Sequence, residues 1–274
     1  MKSSTIYVCR ECGREETKWT GRCPECGSWN SFEEKTLSSV NVDENKTVID
    51  KDVRKLSEVP YEKTMRVSSS INELDRVLGG GVMRPSSVLV GGEPGIGKST
   101  LMLQLIASLS EYGSTLYISG EESPSQVRLR AERLNLPTEK IQIFCDTRLE
   151  AIIETMERIE PDYIVVDSIQ TLSSSTLDST AGSPNQIKTC CMELSLRAKK
   201  MGSAIFFIGH VTKDGLIAGP KIVEHMVDTV LYFESAENGI RLLRASKSRF
   251  GSVDEIGLFE MNEHGLRGVK DPTE

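Results

Sequence analysis

The sequence predicts an α/β chain with a mostly parallel central sheet, preceded by a small four-cysteine zinc-binding module. Three observations carry that reading. From residue 88 onward, short apolar runs alternate with segments of helical period, as in a parallel sheet covered on both faces. A glycine-rich loop joins the first of these strands to its helix. Near the start, two C-x2-C pairs stand close together.

The cysteines come first, in residues 1–34. Their spacing is Cys9-x2-Cys12-x10-Cys23-x2-Cys26, and Gly13 and Gly27 follow each pair where the backbone must turn sharply. Two such knuckles place four thiolates in a tetrahedron, which suits Zn²⁺. Iron or a free dithiol are the alternatives. With sulfur in all four positions the site is expected to be structural, and in so short a segment the metal is expected to provide most of the folding energy. Trp19 and Trp29 are expected to cover the site as apolar packing rather than to stack on bases. Contact with DNA, contact with a partner, and stability alone all remain open as the module's task. Residues 35–66 are polar, without a sustained period, and read as a linker.

Residues 67–274 carry the α/β pattern. Ile71, Leu74, Val77 and Leu78 keep helical spacing up to a stop at Gly79-Gly80-Gly81. Strands are expected at 88–90, 116–118, 141–144, 163–166 and 204–208, and helices at 101–112, 125–134, 149–159 and 186–201. Residues 229–233, 240–245 and 256–259 look like a closing antiparallel set.

Gly92-Glu93-Pro94-Gly95-Ile96-Gly97-Lys98-Ser99 matches G-x4-G-K-[ST] in the strand–loop–helix context that the motif requires. Its glycines let backbone N–H groups close around phosphate oxygens at a helix N-terminus. Lys98 is expected to reach the β- and γ-phosphates of ATP, Ser99 to bind Mg²⁺, and Thr100 to support the α-phosphate end. Asp167 ends an apolar strand, the place of a second, Mg²⁺-holding carboxylate. Glu121 and Glu122 stand at the end of another strand. Either can orient or deprotonate an attacking water, and spacing does not choose between them. His210 ends a further strand and reads as a nucleotide sensor or as a structural histidine. Cys145, Cys190 and Cys191 read as structural thiols.

Composition sets the outer bounds. The chain has 274 residues, of which 27% are charged and 38% hydrophobic, an ordinary balance for a globular protein. No apolar run approaches the roughly 20 residues that span a bilayer, and Met1-Lys2-Ser3-Ser4 opens no secretory signal. No membrane association and a cytoplasmic location are therefore expected, where the clustered cysteines favour metal over disulfide. A net charge of −7 argues against binding nucleic acid, itself a polyanion, though local basic patches or loops can still serve.

The four-cysteine module, the phosphate loop, Ser119-Gly120-Glu121-Glu122-Ser123 and Lys247-Ser248-Arg249-Phe250-Gly251 follow in that order, with residues 225–233 between the last two. Together they closely resemble the RadA (Sms) family of bacterial DNA-repair proteins, relatives of RecA. The resemblance implies a RecA-like P-loop ATPase core and a homo-hexameric ring. It implies ATP hydrolysis coupled to single-stranded DNA, acting on branched recombination intermediates and promoting branch migration beside a RecA-type recombinase. It favours Glu121 as the catalytic carboxylate. It assigns Lys247 and Arg249 to a neighbour's nucleotide or to DNA, with Ser248 where the family has Asn. It also implies that the loops at 173–185 and 212–221 face a central channel, with Lys188, Lys213 and Lys221 as DNA contacts. The family usually continues into a Lon-protease-like domain, expected to be absent from a chain that stops at Glu274. A RecA-like ATPase acting on a protein, and an ATP-binding fragment that hydrolyses weakly, are the competing readings.

Overall fold

The computed structural model describes residues 5–36, 55, 57, 66–210, 222–236 and 239–269. The chain divides into two compact units, Met1–Met65 and Arg66–Glu274. Most of the linker at 35–66 lies outside the described residues, as do Lys213 and Lys221.

In the first unit, β1 (Thr5–Cys9), β2 (Glu15–Glu16) and β3 (Phe32–Thr36) form an antiparallel sheet in the order β2-β1-β3. Cys9, Cys23 and Phe32 are buried, with Tyr7, Cys12 and Cys26 packed against them. The expectation for the two tryptophans is overturned: Trp19 is 53% exposed and Trp29 72%. Sulfur, Phe32 and Tyr7 fill the small interior, and the indoles are left outside it.

The second unit begins with α1 (Asn72–Val77), β4 (Ser86–Gly92), α2 (Lys98–Leu109), β5 (Thr115–Ser119), α3 (Pro124–Arg133) and β6 (Gln142–Cys145). It continues with α4 (Leu149–Ile159), β7 (Tyr163–Asp167), α5 (Pro184–Met201), β8 (Ala204–His210) and α6 (Ile222–Met226). It closes with β9 (Thr229–Ser235), β10 (Arg241–Ser248), β11 (Ile256–Asn262) and β12 (Gly265–Gly268). One sheet takes all nine strands in the order β12-β11-β10-β9-β4-β8-β7-β5-β6.

From β9 to β6 every neighbouring pair is parallel, and from β9 to β12 every pair is antiparallel. The first strand of the expected closing set is therefore also the last of the parallel set. Its pairing with β4 places Val88 opposite Thr229 and Gly92 opposite Phe233. Residue alternation sorts each central strand between two cores. Val88, Val90, Tyr117, Val165, Phe206 and Ile208 face one side, with α1, α2 and α3. Leu89, Leu116, Ile118, Val166, Ile205 and Phe207 face the other, with α4 and α5. Both faces are thus dry, and these strands read as continuous apolar runs. Ser123 caps α3 in a reciprocal capping box with Gln126, and Gly202 ends α5 in the left-handed region at φ 74°. Among the described residues, no helix is long and apolar enough to cross a membrane.

Asp228 ties the start of β9 to β4, ahead of the ladder that runs from Val88 opposite Thr229 to Gly92 opposite Phe233. Asp228 Oδ2 accepts from Ser87 N at 3.0 Å and Ser87 Oγ at 2.8 Å, while Asp228 N donates to Ser87 O at 2.9 Å. Replacing its carboxylate strands the Ser87 donors at a buried strand start. We predict that Asp228→Ala lowers stability by about 1–3 kcal/mol and that Asp228→Asn, which keeps an acceptor, loses less. Urea unfolding midpoints of the full chain would decide this.

Candidate functional site

The central parallel strands β4, β8, β7 and β5 all end at the same edge of the sheet, and the chemistry gathers there. β4 runs into the phosphate-loop sequence, and α2 starts at Lys98 with Gly97 as N-cap. The glycines have separate reasons. A Cβ on Gly92 would stand 2.5 Å from Phe233 O, so the loop leaves the sheet against backbone. Gly95 and Gly97 adopt φ of 81° and 113°, which favours glycine, and a Cβ on Gly97 would lie 2.9 Å from Met261 Cε. Ile96, between them, is buried and anchors the loop in the core. Glu93 and Pro94 stay exposed. Among the described residues, no backbone carbonyl accepts from the N–H groups of Gly95, Gly97, Lys98, Ser99 or Thr100. Such a row of donors at a helix N-terminus fits an anion.

Lys98 is buried. Its Nζ donates to Gly92 O and Glu93 O, both at 2.8 Å. Burial pulls the ammonium down to about 8, against the opposing charges of Asp167, Glu121 and Glu93. Asp167 is also buried, and burial holds its carboxyl above the ordinary range despite hydrogen bonds from Tyr117 and Ser99. Tyr117 donates to Asp167 Oδ2 at 2.6 Å. Ser99 and Asp167 thus bring a hydroxyl and a carboxylate together, the oxygen ligands that a small divalent cation takes.

The two glutamates part company. Glu121 Oε1 accepts from Ser168 Oγ and lies 3.1 Å from His210 Nε2. Burial pushes its carboxyl up, but the bonds to Ser168 and His210 and the charges of His210 and Lys98 hold it below its ordinary value. Glu122 pairs instead with Arg130 of α3, and its backbone N–H is tied to Ser119 Oγ at 3.1 Å. Glu121 therefore shares the electrostatics of Lys98, while Glu122 is bound into the scaffold. The Asp167–Ser168 peptide is cis, and Gly120 N donates to Asp167 O at 2.7 Å.

In the first unit, the ligand sulfurs of Cys9, Cys12, Cys23 and Cys26 all lie within 4.8 Å of one another. Cys9 Sγ stands 3.7 Å from Cys26 Sγ and Cys12 Sγ 3.5 Å from Cys23 Sγ. A tetrahedral Zn–S site of ~2.3 Å bonds has edges of about 3.8 Å, so the cluster has the size for a metal. Gly13 and Gly27, at φ 75° and 73°, close the knuckles with bonds to Cys9 O and Cys23 O at 2.9 Å. Burial raises the Cys9 thiol, but hydrogen bonds with Ser31 and with the N–H groups of Cys12 and Glu11 outweigh it and bring it down to about 7.

Comparison with known proteins agrees with both halves. A family model described as a rubredoxin metal binding domain matches residues 7–34, and one described as an ATPase, KaiC, matches residues 67–145. The DNA repair protein RadA of Treponema pallidum is 50% identical over 273 residues, covering 98% of this chain and 60% of the relative. RadA of Listeria monocytogenes is 47% identical and RadA of Bacillus subtilis 45%, each covering 100% of this chain and 61% of the relative. Nearly the whole of this chain is thus similar to RadA proteins at 45–50% identity. The chain spans about 60% of the length of these relatives. A KaiC-like protein of Pyrococcus horikoshii superposes with a TM-score of 0.63 at 21% identity, over 75% of this chain and 99% of its own. The larger unit thus has the RecA-like fold of KaiC-type ATPases, preceded by a metal-binding ribbon.

The other residues singled out from the RadA resemblance lie apart from Lys98. Lys247 Nζ donates to the carbonyls of Glu224, His225 and Val227 at 2.8, 3.1 and 2.7 Å, closing the end of α6. Arg249 is exposed and pairs with Asp228 at 3.2 Å. Gly251 packs on Gly79, with a Cβ at Gly251 falling 3.2 Å from Gly79 Cα. Lys188 sits half-buried on α5. The 173–185 loop is tied at its base: Gln186 Nε2 donates to the carbonyls of Ser174 and Ser179 at 3.1 and 2.9 Å. Glu150 Oε1 accepts from Ser174 Oγ at 2.8 Å and Ser175 N at 2.9 Å. Cys190 and Cys191 are buried, and burial pushes both thiols up to about 12. Cys145 is half-buried, its Sγ 3.5 Å from Glu122 O, and burial also raises its thiol.

Sequence reasoning passes over Tyr117, Ser168 and Arg130. Only Tyr117 leaves a trace there, as a hydroxyl-bearing residue inside an apolar strand. Tyr117→Phe keeps the ring and removes the donor to a buried carboxylate. We expect it to lower stability by about 1–3 kcal/mol, read from urea unfolding of the full chain.

Proposed function

We propose that this chain hydrolyses ATP, that single-stranded DNA stimulates the hydrolysis, and that it serves DNA repair and recombination. The observation that carries the reading is the convergence of Lys98, Asp167 and Glu121 at the mouth of a loop whose N–H donors fit phosphate. The names of the RadA relatives support the link to DNA repair.

In this reading the N–H groups from Gly95 to Thr100 bind the phosphates, and Lys98 exchanges two neutral carbonyls for phosphate oxygens. Ser99 and Asp167 hold Mg²⁺, which when bound neutralises charge on the β- and γ-phosphates. Tyr117 keeps Asp167 oriented. Glu121, held below its ordinary pKa and aimed by Ser168 and His210, stays ionised and takes the proton of the attacking water. Assembly into a hexameric ring would bring Arg249, on the strand end that Lys247 holds, and the channel-facing loops, with Lys188, Lys213 and Lys221, to a neighbour's nucleotide or to DNA. Branched recombination intermediates are then the substrate, and a RecA-type recombinase the partner. The four-cysteine ribbon holds Zn²⁺, which supplies no chemistry beyond fixing the fold.

The second reading is a RecA-like ATPase acting on a protein, which the same phosphate loop and KaiC-described core would serve equally. Turnover with and without single-stranded DNA at fixed low salt separates the two. We expect Mg²⁺-dependent hydrolysis, stimulated by DNA and abolished in Lys98→Ala. Glu121→Gln should retain ATP binding and lose roughly 10²- to 10⁴-fold in turnover. Hydrolysis indifferent to DNA would overturn the DNA-linked reading in favour of the second.

The metal has its own check. Elemental analysis should find zinc in the purified chain, and Cys12→Ala should lose it together with the ribbon's resistance to proteolysis. Full zinc content in that variant would rule out the four-sulfur site.

A further inference from the structure

The chain has two tryptophans, and both stand exposed on the ribbon. They lean over one glycine. A Cβ on Gly21 would lie 3.7 Å from Trp19 Cη2, 3.9 Å from Trp19 Cζ3 and 4.0 Å from Trp29 Cζ3, so its three nearest neighbours all belong to the two indoles. Neither ring joins the ribbon's apolar cluster. The turn that presents them is fixed by its backbone. Asn30 N donates to Gly21 O at 2.8 Å, and Arg22 bridges to Trp29 as an isolated antiparallel pair.

Charge is sorted around the rings. Arg22 Cζ stands 5.8 Å from the Trp29 ring centroid, its Nε held by Gly27 O at 3.1 Å. Between residues 17 and 30 the charged side chains are Lys18, Arg22 and Glu25, and Glu25 pairs with Arg14. Among the described residues, no acid forms an ion pair with Lys18 or Arg22. The other acids of the described ribbon lie outside that stretch: Glu11 between Cys9 and Cys12, Glu15 and Glu16 on β2, Glu33 and Glu34 on β3.

Two open indoles flanking a glycine, with unpaired cations beside them, suit a ligand of flat apolar faces on an anionic chain. We propose that single-stranded nucleic acid docks on this surface, bases stacking on Trp19 and Trp29 and phosphates meeting Lys18 and Arg22. Stacking on aromatic rings tolerates any base, so the contact is not sequence-specific. The proposal rests on the DNA-linked reading above for its choice of ligand and gives the ribbon a task beyond stability.

Trp19 and Trp29 provide all the indole emission of the chain, so intrinsic fluorescence reads this surface directly. Titrating the full chain with a 20-nucleotide oligo-dT at low salt should quench that emission. Trp19→Ala and Trp29→Ala, each with metal content and far-UV spectrum unchanged, should each weaken binding of labelled oligo-dT roughly 10-fold. Lys18→Ala, with metal content again unchanged, should weaken binding and flatten its salt dependence. Oligo-dT binding with unchanged emission and unchanged affinity in both tryptophan variants overturns the proposal, and leaves DNA-stimulated turnover intact. Quenching without any DNA effect on turnover supports this surface and counts against the DNA-linked motor instead. A chain that binds no oligo-dT overturns both.

Discussion

A parallel sheet that is dry on both faces sets the rest of the larger unit. Its central strands have no solvent side, so polar groups are confined to the sheet's ends. β4, β8, β7 and β5 point the same way, and their last residues are Gly92, His210, Asp167 and Ser119. The phosphate loop, the acidic strand end and the Glu121 turn therefore meet without any long-range design beyond strand direction. Helices on both faces hold that edge rigid, and α2 adds its N-terminal donors at the same place.

Burying charge there has a cost, and the structure offsets it by pairing. Lys98 is desolvated, but Asp167, Glu121 and Glu93 oppose the loss of its proton. Asp167 is desolvated in turn and takes hydrogen bonds from Tyr117 and Ser99. Glu121 is less buried and more strongly hydrogen-bonded, and the balance tips the other way. Two carboxylates on neighbouring strands thus have pKa values pushed in opposite directions, the separation expected where one holds a cation and the other handles a proton.

The parts legible in the sequence are those written in local pattern. The cysteine spacing, the glycine-rich loop and the strand–helix alternation each need only a few adjacent residues to be recognised. The parts that were not legible depend on contacts between distant residues. β9 reads as the start of an antiparallel set, because nothing within 229–233 reveals its pairing with β4 through Asp228 and Ser87. α6 and β12 are too short, at 5 and 4 residues, to show a period. Glu121 and Glu122 are equivalent by spacing and are told apart by Arg130, eight residues on and across a turn. The tryptophans mislead for a simpler reason. Apolar residues in so small a module suggest a core, but four sulfurs and Phe32 already fill it.

The same distinction bears on the two cations of the Lys247-to-Gly251 motif. Sequence alone treats them as a matched pair of free charges. In the fold, Lys247 satisfies three carbonyls at the end of α6 and is partly desolvated there, which lowers its pKa. Withdrawing it would leave those carbonyls without their donor and would loosen the approach to β9. Arg249 is exposed and has one charged partner, Asp228, whose other oxygen is engaged by Ser87. A guanidinium on such a tether can swing to a phosphate at small cost, since an exposed ion pair contributes little. If either cation reaches a neighbouring subunit's nucleotide, the geometry selects Arg249, and Lys247 acts by holding the strand from which Arg249 extends.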